Sequence, residues 1–99
     1  MILEIAEISV KPGTGPQFEA AVTAALPLFR NARGCAALKL QRCIEDADRY
    51  HLHISWQTLE DHTEHFRGSE AFQQWRALVG PYFAAPPVVL HWEQSAVGF

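Results

Sequence analysis

The spacing of apolar positions switches between a strand period and a helix period as the chain proceeds. From Ile2 to Val10 the apolar residues alternate imperfectly with Glu4, Glu7 and Ser9, which predicts a strand closed by a Lys11-Pro12-Gly13 turn. Apolar residues fall on both faces of it, as in a sheet covered on both sides. Beyond Pro16, a residue suited to a helix start, Phe18, Val22, Ala25, Leu26 and Phe29 recur at helical spacing. Pro27 removes a backbone donor inside that pattern, so the helix is expected to end or kink near Leu26. Ala37 to Cys43 reads as a second strand and Arg49 to Trp56 as a third, joined as a hairpin by the short turn between them. On the third strand Tyr50, Leu52, Ile54 and Trp56 share one face, and Arg49, His51, His53 and Ser55 share the other.

The stretch WQTLEDHTEHFRGSEAFQQW, Trp56 to Trp75, carries the most information. Thr58 followed by Asp61 has capping-box spacing and starts a helix. In one straight rod, Leu59, His62 and Phe66 would face nearly opposite to Phe72, Trp75 and Val79. Gly68 disfavours a helix interior and Ser69 is a ready N-cap, so the pattern predicts a break at Gly68 and a second helix after it. The bend would open a concave angle lined by His62, His65, Phe72 and Trp75, a place for a small apolar ligand. Glu60, Asp61, Glu64 and Arg67 read as a solvated helix face. After Gly80-Pro81 and Pro86-Pro87, Val88 to Gln94 reads as a fourth strand, with Ser95 to Phe99 as a tail.

The order strand, helix, strand, strand, helix, strand over residues 1–99 predicts a single α+β domain of the ferredoxin-like kind, with a four-stranded antiparallel sheet. Helices would cover one sheet face. The other would meet a second copy of the chain, giving a homodimer that closes into a β-barrel. Composition supports that step: 48% of the 99 residues are hydrophobic, a generous supply for one small core. A net charge of −3 without a Lys/Arg cluster excludes the electrostatic footprint of a nucleic-acid or acidic-membrane binder. No apolar run approaches a membrane span, and Glu4 and Glu7 sit where a signal peptide would be apolar, so the expected location is cytoplasmic. Cys35 and Cys43 lie at opposite ends of one predicted strand, about 26 Å apart, too far for a disulfide.

At this point the chain resembles the antibiotic biosynthesis monooxygenase family. The resemblance spans nearly the whole chain and is carried by Val10-Lys11-Pro12-Gly13, Gly34-Cys35, Asp46-Ala47-Asp48-Arg49-Tyr50, Trp56 with His65 nine residues on, Ser69, Phe72, Gly80-Pro81 and Pro86-Pro87. It implies a dimeric α/β barrel that oxidises a quinol, anthrone or similar phenolic ring with molecular oxygen and no metal, flavin or other cofactor. The chemistry is self-consistent, because a deprotonated electron-rich ring can itself reduce oxygen if the protein binds it, takes its proton and excludes water. The strand glutamate often found two residues before Trp56 stands as Ile54 here. Haem-degrading relatives place a ligating histidine near the position of Trp75, and an indole cannot ligate iron.

His65 matches the family's helix histidine and is the candidate base, with packing as its equal alternative. His62 shares the Leu59 and Phe66 face and reads as a packing or interface residue. His53 is a second candidate proton acceptor. With His51 it forms an H-x-H pair that could chelate a metal, but a third ligand would require the fold to bring His91 close, and no metal is predicted. Trp75, Phe72, Phe66, Tyr82 and Trp92 are candidate ring-binding residues. The function expected is thus a cofactor-independent monooxygenase of a small aromatic substrate. The alternative is a dimeric small-molecule-binding or regulatory module of the same fold, with haem degradation third.

Overall fold

Ile2, Glu4, Ala6, Ile8 and Val10 point to one side of the first strand, and in the computed structural model, which covers residues 1–99, that side lies under both helices. The elements are β1 (Ile2–Ser9), α1 (Gly15–Arg30), β2 (Cys35–Arg42), β3 (Arg49–Trp56), a π-helical segment (Asp61–Phe66), α2 (Glu70–Val79), a 3-10 turn (Gly80–Tyr82) and β4 (Val88–Trp92). All sheet neighbours are antiparallel in the order β2-β3-β1-β4, the ferredoxin-like arrangement. No helix is long and apolar enough to cross a membrane. Cys35 and Cys43 are both free thiols.

The core forms where the inward faces of β1 and β3 meet α1. Ala6, Ile8, Leu52, Ile54 and Trp56 rise from the sheet, and Phe18, Val22, Ala25 and Phe29 descend from the helix. Burying one such side chain contributes roughly 1.5–3 kcal/mol, and that packing decides the fate of Pro27. The helix does not end at Leu26 but runs through Pro27 to Arg30. Pro27 is exposed, so its lost hydrogen bond is on the solvent side, while Phe29 beyond it is buried against Phe66 and Trp75 with ring centroids 4.9 Å away in each case. Anchoring Phe29 outweighs the proline penalty.

The break after Phe66 follows the residues that predict it. Arg67 N–H reaches back five residues to the His62 carbonyl at 3.0 Å, the mark of a π turn, and such turns recur at functional sites. A Cβ on Gly68 would press on the Glu64 carbonyl oxygen at 2.8 Å, so only glycine passes this corner without displacement. Ser69 then caps α2, its hydroxyl accepting from Phe72 N–H at 3.3 Å. The start of the segment differs from a capping box. Thr58 Oγ1 does accept from Asp61 N–H at 3.1 Å, but the Asp61 carboxylate is buried beneath Gly34 and pairs with Arg33 at 3.4 Å, so it is not part of a solvated face.

Candidate functional site

Between α2, the π segment and the inward sheet face lies a cavity of about 850 Å³. Phe66, Phe72 and Trp75 form its aromatic wall, Ala6, Ile8, Leu52 and Ile54 its apolar floor, and Phe83 to Pro87 its far edge. Its size is within the roughly 300–1,000 Å³ of small-molecule sites. The bend at Gly68 brings the wall together, because residues on either side of the break now point into one space.

One carboxylate stands in this floor. Glu4 lies on the inward face of β1, opposite Ile54 on β3 and His91 on β4. Its Oε1 accepts from Trp56 Nε1–H at 2.9 Å and lies 3.3 Å from His62 Nε2. Its Oε2 makes no hydrogen bond within the protein, and the residue lines the cavity. Burial pushes the Glu4 carboxyl above its usual 4.5, against the opposing pull of the Trp56 hydrogen bond and the Arg67 charge. A carboxylate so perturbed in an apolar cleft is the usual profile of an acid-base residue.

His62 holds that carboxylate in place. Its ring stacks on Trp56 at 5.2 Å and 16°, and its Nδ1 lies 2.7 Å from His91 Nε2. Nδ1 is thus hydrogen-bonded, and Nε2 lies against the carboxylate. With His62 neutral, its Nδ1 can accept from His91 Nε2–H, which leaves the proton on Nε2, the nitrogen that lies beside Glu4 Oε1. Burial, then the Arg67 and His91 charges, pull the His62 pKa down to about 3, so it stays neutral. His91 is lowered as well, first by burial and then by Arg67.

A pH dependence of stability follows. The folded His62 pKa lies below the ordinary 6.5, so the unfolded chain takes up the proton first as pH falls, and stability drops between 6.5 and about 3. The slope contributed is at most about 1.4 kcal/mol per pH unit. Glu4, with its raised pKa, works in the opposite sense: its contribution is present below 4.5 and lost as pH rises through the folded value. Melting curves from pH 7 down to pH 4 should show a falling Tm in wild type and a shallower fall in His62→Gln. Equal slopes would mean that His62 is not held neutral by the fold.

The remaining candidates lie elsewhere. His65 is exposed and lines a separate recess with Pro27, Leu28 and Asn31, on the outer side of the π segment. His53 is on the opposite sheet face, paired in register with Ile5 and Lys39, with its Nε2 buried and unpartnered. Its pKa is lowered by burial, then by His51 and Lys39. His91 occupies the inward face, so it does not join His51 and His53 as a third metal ligand. Tyr82 packs against the core outside the cavity lining, where Phe83 takes the place assigned to it. Trp92 projects from the open sheet face at 53% exposure, since β4 turns Val89 and His91 inward and Val88, Leu90 and Trp92 outward.

Glu4 is the residue that sequence reasoning passed over. The signal was present, a lone carboxylate in phase with Ile2, Ala6, Ile8 and Val10 on the strand's inward side. The register sets it directly across from Ile54 on the same face.

The comparisons with known proteins agree with this architecture. A Bordetella bronchiseptica protein of solved structure, named with the antibiotic biosynthesis monooxygenases, superposes with a TM-score of 0.92 at 50% identity, covering 97% of each chain. A protein of Nitrosomonas europaea named in the same way shares the fold at a TM-score of 0.80 and 20% identity, over 95% of this chain and 98% of its own. The uncharacterized protein YczJ of Bacillus subtilis (strain 168) is 38% identical over 93 residues, 94% of this chain and 98% of that protein. The family model described as antibiotic biosynthesis monooxygenase matches residues 1–78, and the chain belongs to that family.

Proposed function

We propose that this protein is a cofactor-independent monooxygenase of a small phenolic ring, with Glu4 as the proton acceptor. The observation that carries the reading is the free Oε2 of a buried carboxylate at the floor of an aromatic-walled cavity. Phe66, Phe72 and Trp75 would hold the ring by stacking and edge contacts. For an anthrone-type ring, Glu4 Oε2 takes the acidic proton, and the resulting anion passes one electron to oxygen. The radical pair combines at the ring carbon, and the peroxide so formed takes the proton back from Glu4. Loss of water then leaves a carbonyl, so oxygen is reduced by four electrons while the ring carbon is oxidised by four. Trp56 and His62 keep Oε1 occupied and so aim Oε2 at substrate. His62 is buried against Trp56, with Nδ1 bonded to His91 and Nε2 against Glu4, an arrangement that disfavours iron ligation and so haem degradation by this cavity.

The test is oxygen uptake by the metal-free protein supplied with anthrone or a naphthoquinol. Uptake above the buffer rate supports the reading. Thermal stabilisation by the same rings without uptake would favour the binding-module alternative instead.

The reading includes a homodimer. Leu3, Ile5, Val88, Leu90 and Trp92 make an apolar stripe on the sheet face that the helices leave uncovered, and the last three are each more than half exposed. A second copy facing it would close the barrel and bury that stripe, in a reducing cytoplasm that suits the free thiols. Light scattering should report twice the 11.1 kDa chain mass, and Leu90→Glu should shift it to a monomer. A monomeric wild type would remove this part of the proposal.

A further inference from the structure

The cavity also carries charge that the proposed chemistry does not use. The chain has net charge −3, yet among the 21 residues lining the cavity the charged ones are Glu4, Arg67 and Arg76, and both arginines extend to its exposed rim. Arg33, Arg42 and Arg49 each lie within 4 Å of a carboxylate. Arg67 and Arg76 have no such partner, and Arg30, also unpaired, ends α1 away from the cavity. The Arg76 guanidinium sits 5.8 Å over the Phe72 ring, which orients it beside the aromatic wall. Arg67 is close enough to Glu4, His62 and His91 for its charge to act on all three. Gln73, also exposed, lines the cavity with them.

Arginines on a surface often do no more than lay their stems over apolar side chains. Two unpaired guanidinium groups at the mouth of an otherwise apolar cleft also make a receptor for a planar anion, because the guanidinium fork matches a carboxylate in shape and charge. We propose that the ligand of this cavity is an aromatic ring bearing a carboxylate, the ring against Phe66, Phe72 and Trp75 and the carboxylate on Arg67 and Arg76. The inference rests on reading the cavity as the substrate site and names the class of ring it takes. The ring's hydroxyl then points down to Glu4 and its acid group out to the rim, so a single orientation satisfies both ends. Like charges are kept apart, since the anion meets the arginines while Glu4 lies deeper.

Binding under argon separates this inference from catalysis. Calorimetry with a hydroxynaphthoate, a naphthol and a neutral hydroxymethyl-naphthol should show the carboxylate bound about tenfold more tightly than either neutral ring, the size of one charge-assisted hydrogen bond. Added salt should weaken the hydroxynaphthoate and leave the neutral rings unchanged. In the Arg67→Gln, Arg76→Gln double variant the ratio of hydroxynaphthoate to neutral-ring affinity should fall to about one. Both positions are exposed, so folding is expected to hold, and a melting curve checks it. Equal affinity for acid and neutral rings in wild type, or a preference surviving in the double variant, would overturn the inference. Preference for the carboxylate, with no oxygen uptake when anthrone or a naphthoquinol is supplied in air, would leave it standing and sink the monooxygenase reading alone.

Discussion

Glu4→Gln is expected to lower oxygen uptake by roughly 10²–10⁴-fold, the usual contribution of a positioned general base, while leaving the fold intact. Glutamine matches the carboxylate in size, and its amide oxygen can still accept from Trp56 Nε1–H, the 2.9 Å bond that ties β1 to β3. What it loses is basicity. Because burial opposes the charged form of Glu4, replacing it with a neutral amide should hold or raise Tm at pH 8. A merely structural carboxylate would give the reverse pattern, a lower Tm with turnover reduced only in proportion to unfolded protein. The pH profile adds a second readout. kcat/KM in wild type should rise as Glu4 ionises, with a midpoint above the ordinary 4.5, and Glu4→Gln should lose that limb. Retention of wild-type uptake by the variant would remove Glu4 from the chemistry.

The frame of the site was legible in the sequence because it depends on local signals. Period-two and helical spacings located the four strands and α1, and Gly68-Ser69 marked the break that makes the cavity, since both residues act through their own backbone or hydroxyl. Phe66, Phe72 and Trp75 could be gathered for the same reason. The polar centre was not legible, because it is assembled across elements. Glu4, Trp56, His62 and His91 come from β1, β3, the π segment and β4, and no spacing in the chain relates them. His65 is a candidate base only through the family resemblance, whereas helical phase alone already sets His62 on the face of Phe66, where it is buried. Trp92 was misplaced by a similar ambiguity: β4 is apolar on both faces, and only register against β1 shows that Leu90 and Trp92 turn outward. The continuation of α1 past Pro27 was not legible because the proline's penalty is local and the compensating burial of Phe29 is not.

Gly34→Ala should be among the most damaging single changes, lowering stability by about 3 kcal/mol or more from two independent effects. Gly34 has φ of 75°, a left-handed conformation that costs a residue with Cβ roughly 1–2 kcal/mol. Its missing side chain also leaves the space that the Asp61 carboxylate fills, so a Cβ there would overlap that group directly. The carboxylate is not free to swing away, because it is buried and paired with Arg33, while the Gly34 carbonyl accepts from Gln57 N–H at 2.8 Å. For a chain of this size each kcal/mol lowers Tm by about 4–8 °C, so the drop should exceed about 12 °C. The double change with Asp61→Ala isolates the overlap: removing the carboxylate should make the second substitution cost less than it does alone, by the clash energy. If the two costs simply add, the overlap contributes nothing and backbone strain is the whole effect. The consequence reaches the site, because Asp61 opens the π segment and His62 follows it. Anchoring Asp61 beneath Gly34 fixes where His62 descends onto Glu4 and Trp56. Gly34→Ala protein that remains folded at low temperature should therefore lose turnover beyond its loss of folded fraction.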